Sequence, residues 1–366
     1  MKILNVTTMV GMRGGDLQMY TVYKLLQEKN DLKQFILCPQ NSDLAKMCGI
    51  EKMGCRTYKK NKFRFFNTIK AIIKICKQEN IDVIHVHDST ALTYTLIAIK
   101  FLPSTIKIVL SRKRNNRIKD KFLNRYKYSH PRIVKIISVS KAVEAIFDHI
   151  IPDKGRLVTI YDAIDVASFA NRKSQNLLHQ KYGMDNATKI VGNIAGLSNQ
   201  KDIFTFIDTA KIILETKPES LAIKFVIIGT GVLWDELHEY TRSKGLEDSL
   251  IFTGYQNNVP DLLPEFDVFL LTSLTEGLPL TVYEAFSCKV PVVSTDAGGI
   301  REVVKNNETG FLTDIKDSKT LAEYTLKVLT DSEVAKRITE NAFRLVQENH
   351  DVHVIKENYY QFYKSL

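Results

Sequence analysis

The 366-residue chain lacks most of the features that make a chemistry easy to name. Its five cysteines, Cys38, Cys48, Cys55, Cys76 and Cys288, are scattered, odd in number and without a C-x-x-C. They read as free thiols of a reducing compartment, which excludes a disulfide framework. No apolar run reaches the ~20 residues of a membrane-spanning helix. The longest, "ALTYTLIAIKFL", is interrupted by threonines and a lysine. The opening "MKILNVTTMV" carries one lysine and a short alternating run where a secretory leader needs an apolar core and a cleavage site. The expectation is a cytoplasmic protein, at most peripheral on the inner face of the cell membrane. No G-x-x-x-x-G-K-[ST] occurs, so a P-loop is excluded, and neither "GMRGGD" nor "GTGVLW" completes G-x-G-x-x-G. In "HVHD", His85 and His87 alternate by two and share one strand face, with Asp88 continuing the turn. No second cluster has metal-ligand spacing, so no metal and no cofactor is expected.

What is present begins with charge. Residues 1–170 carry 30 Lys+Arg against 14 Asp+Glu, a net +16, and residues 171–366 carry a net −6. Such an asymmetry points to an anionic partner for the first half. Two stretches concentrate it, "KMGCRTYKKNKFRFFNTIKAIIKICK" and "RKRNNRIKDKFLNRYKYSHPRIVK", and Phe63, Phe65 and Phe66 stand among the cations of the first. Basic residues with interleaved aromatics suit an anionic membrane surface. A solvated basic face and nucleic acid are the rival readings; the membrane is preferred and nucleic acid is not expected.

Short β-branched runs alternate with helix-period segments. Candidate strands are "KILNVTT", "QFILCP", "DVIHVH", "IKIVLS", "KIISVS" and "RLVTIY", then "KIVGNIA", "IKFVIIG", "LIFTG", "DVFLLTS" and "PVVSTD". Two such series in tandem predict an α/β chain of two doubly wound, parallel-sheet, Rossmann-like domains. The polar segment "NRKSQNLLHQKYGMDNAT" separates them, giving domains 1–170 and 171–350. Open parallel sheets bind ligands beyond the carboxyl ends of their strands, so the strand-to-helix turns are the candidate sites.

In the first series, Gly14 and Gly15 allow a close backbone approach, and the helix after them offers N–H groups to an anion. In the second, "GLSNQKDIF" places Lys201 before a helix that Asp202 is expected to cap, a position suited to phosphate. "TSLTEGLPLTVYEAF" is the most informative turn. Its helix begins near Pro279, with Glu276 and Gly277 in the loop and Glu284 beyond the first helical turn. Amides near Leu280 and Thr281 can take a phosphate, and a carboxylate on each side can accept from hydroxyls. That arrangement describes a nucleotide sugar. A capping Glu and an unrelated helix Glu is the plain alternative.

Together these motifs resemble the family-4 glycosyltransferases of the two-domain GT-B fold. "EGLPLTVYE" matches the family's E-x7-E element and "PVVSTDAGGIREVV" follows it. "VGNIAGLSNQKD", "FVIIGTG", "LIFTGYQNNVPDLL" and "FDVFLLTS" occur in the family's order. "RGGDLQMYTVYKLL", "DVIHVHDS", "IISVSKAV" and "VTIYDAIDVASF" match its first domain, and "IKENYYQFYKSL" its terminal helix, residues 351–366, which crosses back onto that domain.

The resemblance implies two domains facing a cleft and retaining transfer of a sugar from a nucleotide diphosphate without a required metal. The acceptor is a glycan or a lipid-linked species of surface polysaccharide or lipopolysaccharide assembly. It assigns the donor sugar to Glu276, Gly277 and Leu278, the diphosphate to Leu280, Thr281, Lys201 and Gly15, the ribose to Glu284 and the base to Tyr255. Glu276 and Lys201 become the catalytic pair. Gly14, His87, Asp88, Arg112 and Lys113 are expected to meet the acceptor. Two positions depart from the family: Gly196 stands where many members have an Arg, and Arg112 or Lys113 where many have a His. A nucleotide-sugar epimerase of the same architecture, or a non-catalytic membrane- or nucleic-acid-binding relative, are the alternatives.

Overall fold

A computed structural model describes residues 1–11, 14–51 and 54–366. Met12 and Arg13 of the "GMRGGD" turn, and Lys52 and Met53 of the first basic stretch, lie outside them. The chain forms two compact units, Met1–Ala163 with Val352–Leu366, and Ile164–Asp351.

The first unit contains a seven-stranded sheet, β1 (Lys2–Val6), β2 (Lys33–Pro39), β3 (Cys55–Tyr58), β4 (Val83–Val86), β5 (Lys107–Arg112), β6 (Ile133–Ser138) and β7 (Leu157–Thr159), in the order β3-β2-β1-β4-β5-β6-β7. Every pairing is parallel. Parallel strands with helical crossovers are covered on both faces, which explains the near-continuous apolar runs "FILC" and "VIHV". One face packs under the helices Arg64–Glu79 and Ser89–Ala98, through Ile69, Ile72, Ala91 and Leu92. On the other, the last helix of the chain, Val352–Lys364, buries Ile355, Tyr359, Phe362 and Tyr363 against Ile3, Val83, Val109 and Ile137. The C-terminal segment is thus part of the first unit's core.

The second unit contains β8 (Lys189–Ile194), β9 (Ile223–Ile228), β10 (Leu250–Gly254), β11 (Val268–Leu271), β12 (Val292–Thr295) and β13 (Phe311–Thr313), parallel throughout, in the order β10-β9-β8-β11-β12-β13. In each sheet the order reverses beside its first strand, between β1 and β4 and between β8 and β11. These are the switch points at which diverging turns leave a crevice.

Eleven of the thirteen strands among the described residues coincide with runs legible in the sequence. The other two, β3 and β13, are short edge strands, and the exposed Arg56 and Thr57 of β3 hide it inside a basic stretch. The cysteines, scattered in sequence, are not all scattered in space: Cys38 on β2 and Cys55 on β3 bring their sulfurs to 3.4 Å.

The glycines of "IGTG" are structural. The turns after β8 and β9 cross, with Leu197 N donating to Thr230 O at 3.1 Å and Gly229 N to Gly254 O at 3.0 Å. A Cβ on Gly229 (φ +140°) would lie 2.0 Å from the Ala195 carbonyl oxygen, and one on Gly231 2.2 Å from that of Leu197. Backbone cannot yield there as a flexible side chain would. Gly229→Ala should therefore lower stability by about 2–4 kcal/mol. Gly49→Ala, in a helix with nothing within 4 Å of its added methyl, should raise it by about 0.5–1 kcal/mol. Thermal unfolding midpoints of the two variants, displaced in opposite directions, check this.

Candidate active site

In the second unit, the turns leaving β8 and β11 face each other across the switch point. Lys201 lies in the first turn and Glu276 in the second, and Lys201 Nζ donates to Glu276 Oε1 at 2.5 Å. Ser273, at the end of the β11 segment, donates its hydroxyl to the same oxygen at 2.7 Å. Oε2 of Glu276 has no hydrogen bond among the described residues. The two turns are also joined through backbone: Leu274 N donates to Gln200 O at 2.8 Å, and the Thr272 hydroxyl bridges the carbonyls of Lys201 and Asp202 at 3.2 and 2.9 Å. The ion pair is half-buried and held on rigid supports.

Asp202 stands at the cap position of the helix Ile203–Thr216, but it does not cap it. Its backbone is left-handed (φ 44°), and its carboxylate accepts from the Thr205 hydroxyl at 2.7 Å, not from a helix N–H. The inverted backbone turns the side chain away from the geometry a cap requires.

The helix Leu280–Ser287 starts one residue after Pro279, which occupies the cap position and supplies no side-chain hydrogen bond. No acidic residue lies in its first turn. Among the described residues no side chain accepts from the amides of Leu280 and Thr281, which open this eight-residue helix, a natural place for an anion. Leu278 is buried behind this turn. Glu284 is four residues after Leu280 and lies on the same face. Its carboxyl group has no hydrogen-bond partner among the described residues, and burial pushes its pKa from 4.5 up to about 7. Tyr255, directly after β10, is 77% exposed, a free aromatic face at the same sheet edge.

In the first unit, Gly14 and Gly15 are the first two residues of the helix Gly14–Leu26, not a turn before it. The stem of Lys113 lies 3.3 Å from where a Cβ on Gly15 would sit. Asp88 caps the helix Ser89–Ala98 by accepting from Thr90 N and Ala91 N at 2.9 and 2.8 Å. It also accepts from Thr8 N at 2.6 Å and from the Thr8 hydroxyl at 2.8 Å. His87 Nε2 bonds Asn5 Oδ1 at 3.0 Å, while buried His85 lies between Tyr363 Oη (2.6 Å) and Ser111 Oγ (2.8 Å). Burial, then the nearby Lys113 charge, lowers the His85 pKa to about 3. His87 is likewise held well below 6.5, first by burial, so both imidazoles are neutral. Among the described residues no three His, Cys, Asp or Glu side chains are placed to hold a metal ion.

Arg112 donates to the carbonyls of Arg114 (3.1 Å) and Asn116 (2.7 Å), bracing its own loop. Lys113 points inward to a buried ion pair with Asp162. Both cations are thus already engaged, Arg112 with its own loop and Lys113 with Asp162. Asp162 and Ser273 are the residues the sequence reading passed over. Ser273 was visible, three residues before Glu276; Asp162 pairs with a lysine 49 residues away and left no local signal.

Comparison with known proteins decides the family. Residues 174–345 match the model of glycosyl transferases group 1, and residues 27–168 that of glycosyltransferase family 4. The chain belongs to the glycosyltransferases. It is 27% identical over 303 residues to the N-acetyl-alpha-D-glucosaminyl L-malate synthase of Bacillus anthracis, covering 80% of this chain and 77% of that one. It is 26% identical over 284 residues to the UDP-Gal:alpha-D-GlcNAc-diphosphoundecaprenol alpha-1,3-galactosyltransferase of Escherichia coli, covering 74% and 72%. The crystal structure of Anabaena HepE in complex with UDP-glucose superposes over the whole of both chains with a TM-score of 0.85 at 20% identity. That likeness establishes the GT-B fold for this glycosyltransferase.

Glu284 makes a pH-dependent prediction. A carboxyl group whose pKa is raised in the folded enzyme binds a proton more tightly there than in the unfolded chain. Its contribution to stability therefore falls as pH rises from about 4.5 to about 7 and is level above that. Glu284→Gln should abolish this fall and leave the empty enzyme more stable than wild type at pH 8, by up to about 3 kcal/mol. Thermal unfolding of both proteins between pH 5 and pH 8, within the range where the second unit stays folded, measures the difference.

Proposed function

We propose that this glycosyltransferase moves a sugar from a nucleotide-diphosphate donor, with retention at the anomeric carbon, to a glycan or lipid-linked acceptor of surface polysaccharide or lipopolysaccharide assembly. The observation that carries the reading is the grouping of Lys201, Glu276, the uncapped amides of Leu280 and Thr281 and the unpartnered Glu284 around one switch point of the acidic second unit. Each matches one part of such a donor. The diphosphate lies on the Leu280 and Thr281 amides and draws Lys201 from Glu276. Glu276, released, accepts from hydroxyls of the sugar beside Gly277 and Leu278. Glu284 ionises on accepting from the ribose diol, and Tyr255 stacks on the base. As the glycosidic bond breaks, charge grows on the departing diphosphate, where Lys201 and the helix amides stabilise it without reorganising. The names of the relatives, one carrying UDP-galactose and one bound to UDP-glucose, agree with a uridine nucleotide.

Thermal shift against UDP, GDP, ADP and CMP tests this. UDP at ~100 times its Kd should stabilise the protein by ~2.7 kcal/mol, and Glu284→Ala should lose the effect. A chain stabilised by none of the nucleotides overturns the reading.

The basic first unit is proposed to receive the acceptor at an anionic membrane surface. Among the described residues no helix is long and apolar enough to cross a membrane. The helix Phe122–Tyr128 instead exposes Phe122 (81%), Leu123 (75%) and Tyr126 (61%), directly after the exposed cations Arg114, Arg117, Lys119 and Lys121. Apolar side chains beside cations suit the headgroup boundary of anionic lipid. The enzyme should sediment with anionic but not zwitterionic phospholipid vesicles. Replacing Phe122, Leu123 and Tyr126 together by Ser should release it while UDP affinity stays unchanged.

A further inference from the structure

Three cysteines from three different elements meet at the β2–β3 edge of the first unit. Cys38 lies near the end of β2, Cys48 on the helix Asp43–Ile50, and Cys55 at the start of β3. The sulfurs of Cys38 and Cys55 are 3.4 Å apart, and Cys48 faces Cys55 from the helix. Cys38 and Cys48 are fully buried, whereas Cys55 is only partly so. The cluster therefore has one member open to a small solute and two behind it.

We propose that Cys38 and Cys55 are an oxidation site that closes to a disulfide on exposure to a hydroperoxide. The thiolate of Cys38, favoured by the hydrogen bond from Cys55, attacks the O–O bond of a peroxide admitted past the partly exposed Cys55. This forms a sulfenic acid on Cys38 and releases hydroxide, which takes up the proton that Cys38 gave up. The Cys55 thiol then attacks the Cys38 sulfur, expels water and completes the bond. Two thiols and one hydrogen peroxide give one disulfide and two waters. Sulfur must travel about 1.4 Å from the observed 3.4 Å contact to bonding distance, by movement of the edge strand β3 toward β2. Hydrogen bonds from Cys55 hold the Cys38 and Cys48 thiols below their usual range and push the Cys55 thiol above its own, so Cys38 is the thiol poised to ionise beside Cys55.

The elements that carry the sulfurs also hold the turn after β1. Thr7 N donates to Leu37 O at 3.1 Å, Asp43 N to Val10 O at 2.9 Å, and the Tyr58 hydroxyl to Thr7 O at 3.4 Å. Drawing β3 onto β2 pulls on the backbone of residues 7–10, just before the helix of Gly14 and Gly15. The proposal does not rest on the donor assignment.

Hydrogen peroxide treatment of the full chain, followed by denaturation, maleimide capping and intact mass, tests it. The reduced protein should take five adducts and the oxidised protein three, restored to five by dithiothreitol. Peptide mapping should link Cys38 to Cys55, and amide exchange at residues 7–10 should change with oxidation. Cys38→Ala and Cys55→Ala should each abolish the link, and Cys48→Ala should retain it. Five adducts after oxidation, a link through Cys76 or Cys288, or a link that survives Cys38→Ala and disappears in Cys48→Ala overturns the assignment. Because the adduct count is read on the wild type, it stands even where a variant fails to fold.

Discussion

Everything in this enzyme follows from strands that all run the same way. A parallel strand cannot be reached by a tight hairpin, so each must be followed by a crossover that begins at the carboxyl edge. Thirteen strands therefore deliver their turns to one edge of each sheet. Where the strand order reverses, two turns diverge, and side chains far apart in sequence meet. Lys201 and Glu276, 75 residues apart, touch for that reason alone. The same constraint explains the crossed turns after β8 and β9, where glycine is required because two backbones occupy space that a methyl group would need.

The two units use their edges differently. In the second, the polar groups at the edge are under-committed among the described residues: a carboxyl group without partners at Glu284, a helix without a side-chain cap, one carboxylate oxygen of Glu276 without a hydrogen bond. In the first they are closely paired: Asp88 holds a helix and the end of β1, Lys113 holds Asp162, and His85 joins Ser111 to the terminal helix. Unmet hydrogen-bonding capacity leaves room for a ligand, and met capacity fixes the fold. The terminal helix belongs to the second category, since Tyr363 bonds His85 from within the core.

Much of this was legible in the sequence because its signals are local. Strand periodicity located eleven strands, and Pro279 located the start of a helix whose amides and glutamate fall within one turn of each other. The strands missed, β3 and β13, are edge strands too short for a period to register. The Asp202 cap failed because a helix N-terminus was inferred from residue type, while the backbone there is left-handed. The partners of Lys113 and Arg112 were not legible, because sequence shows charge but not what it pairs with. Asp162 arrives from another strand, and the carbonyls that hold Arg112 belong to its own loop. The convergence of Cys38, Cys48 and Cys55 depends on β3 pairing with β2, so missing that strand also hid the thiol cluster.

The contact between Lys201 and Glu276 has a kinetic meaning. In the empty enzyme each charge neutralises the other. On the proposed donor site, an incoming diphosphate would have to displace a partner already in place, and that competition would weaken binding of every diphosphate, including the nucleotide left after transfer. With the sugar gone, Glu276 would reclaim the lysine. The ion pair would then act as an internal competitor for the spent product, favouring turnover over retention of the nucleotide.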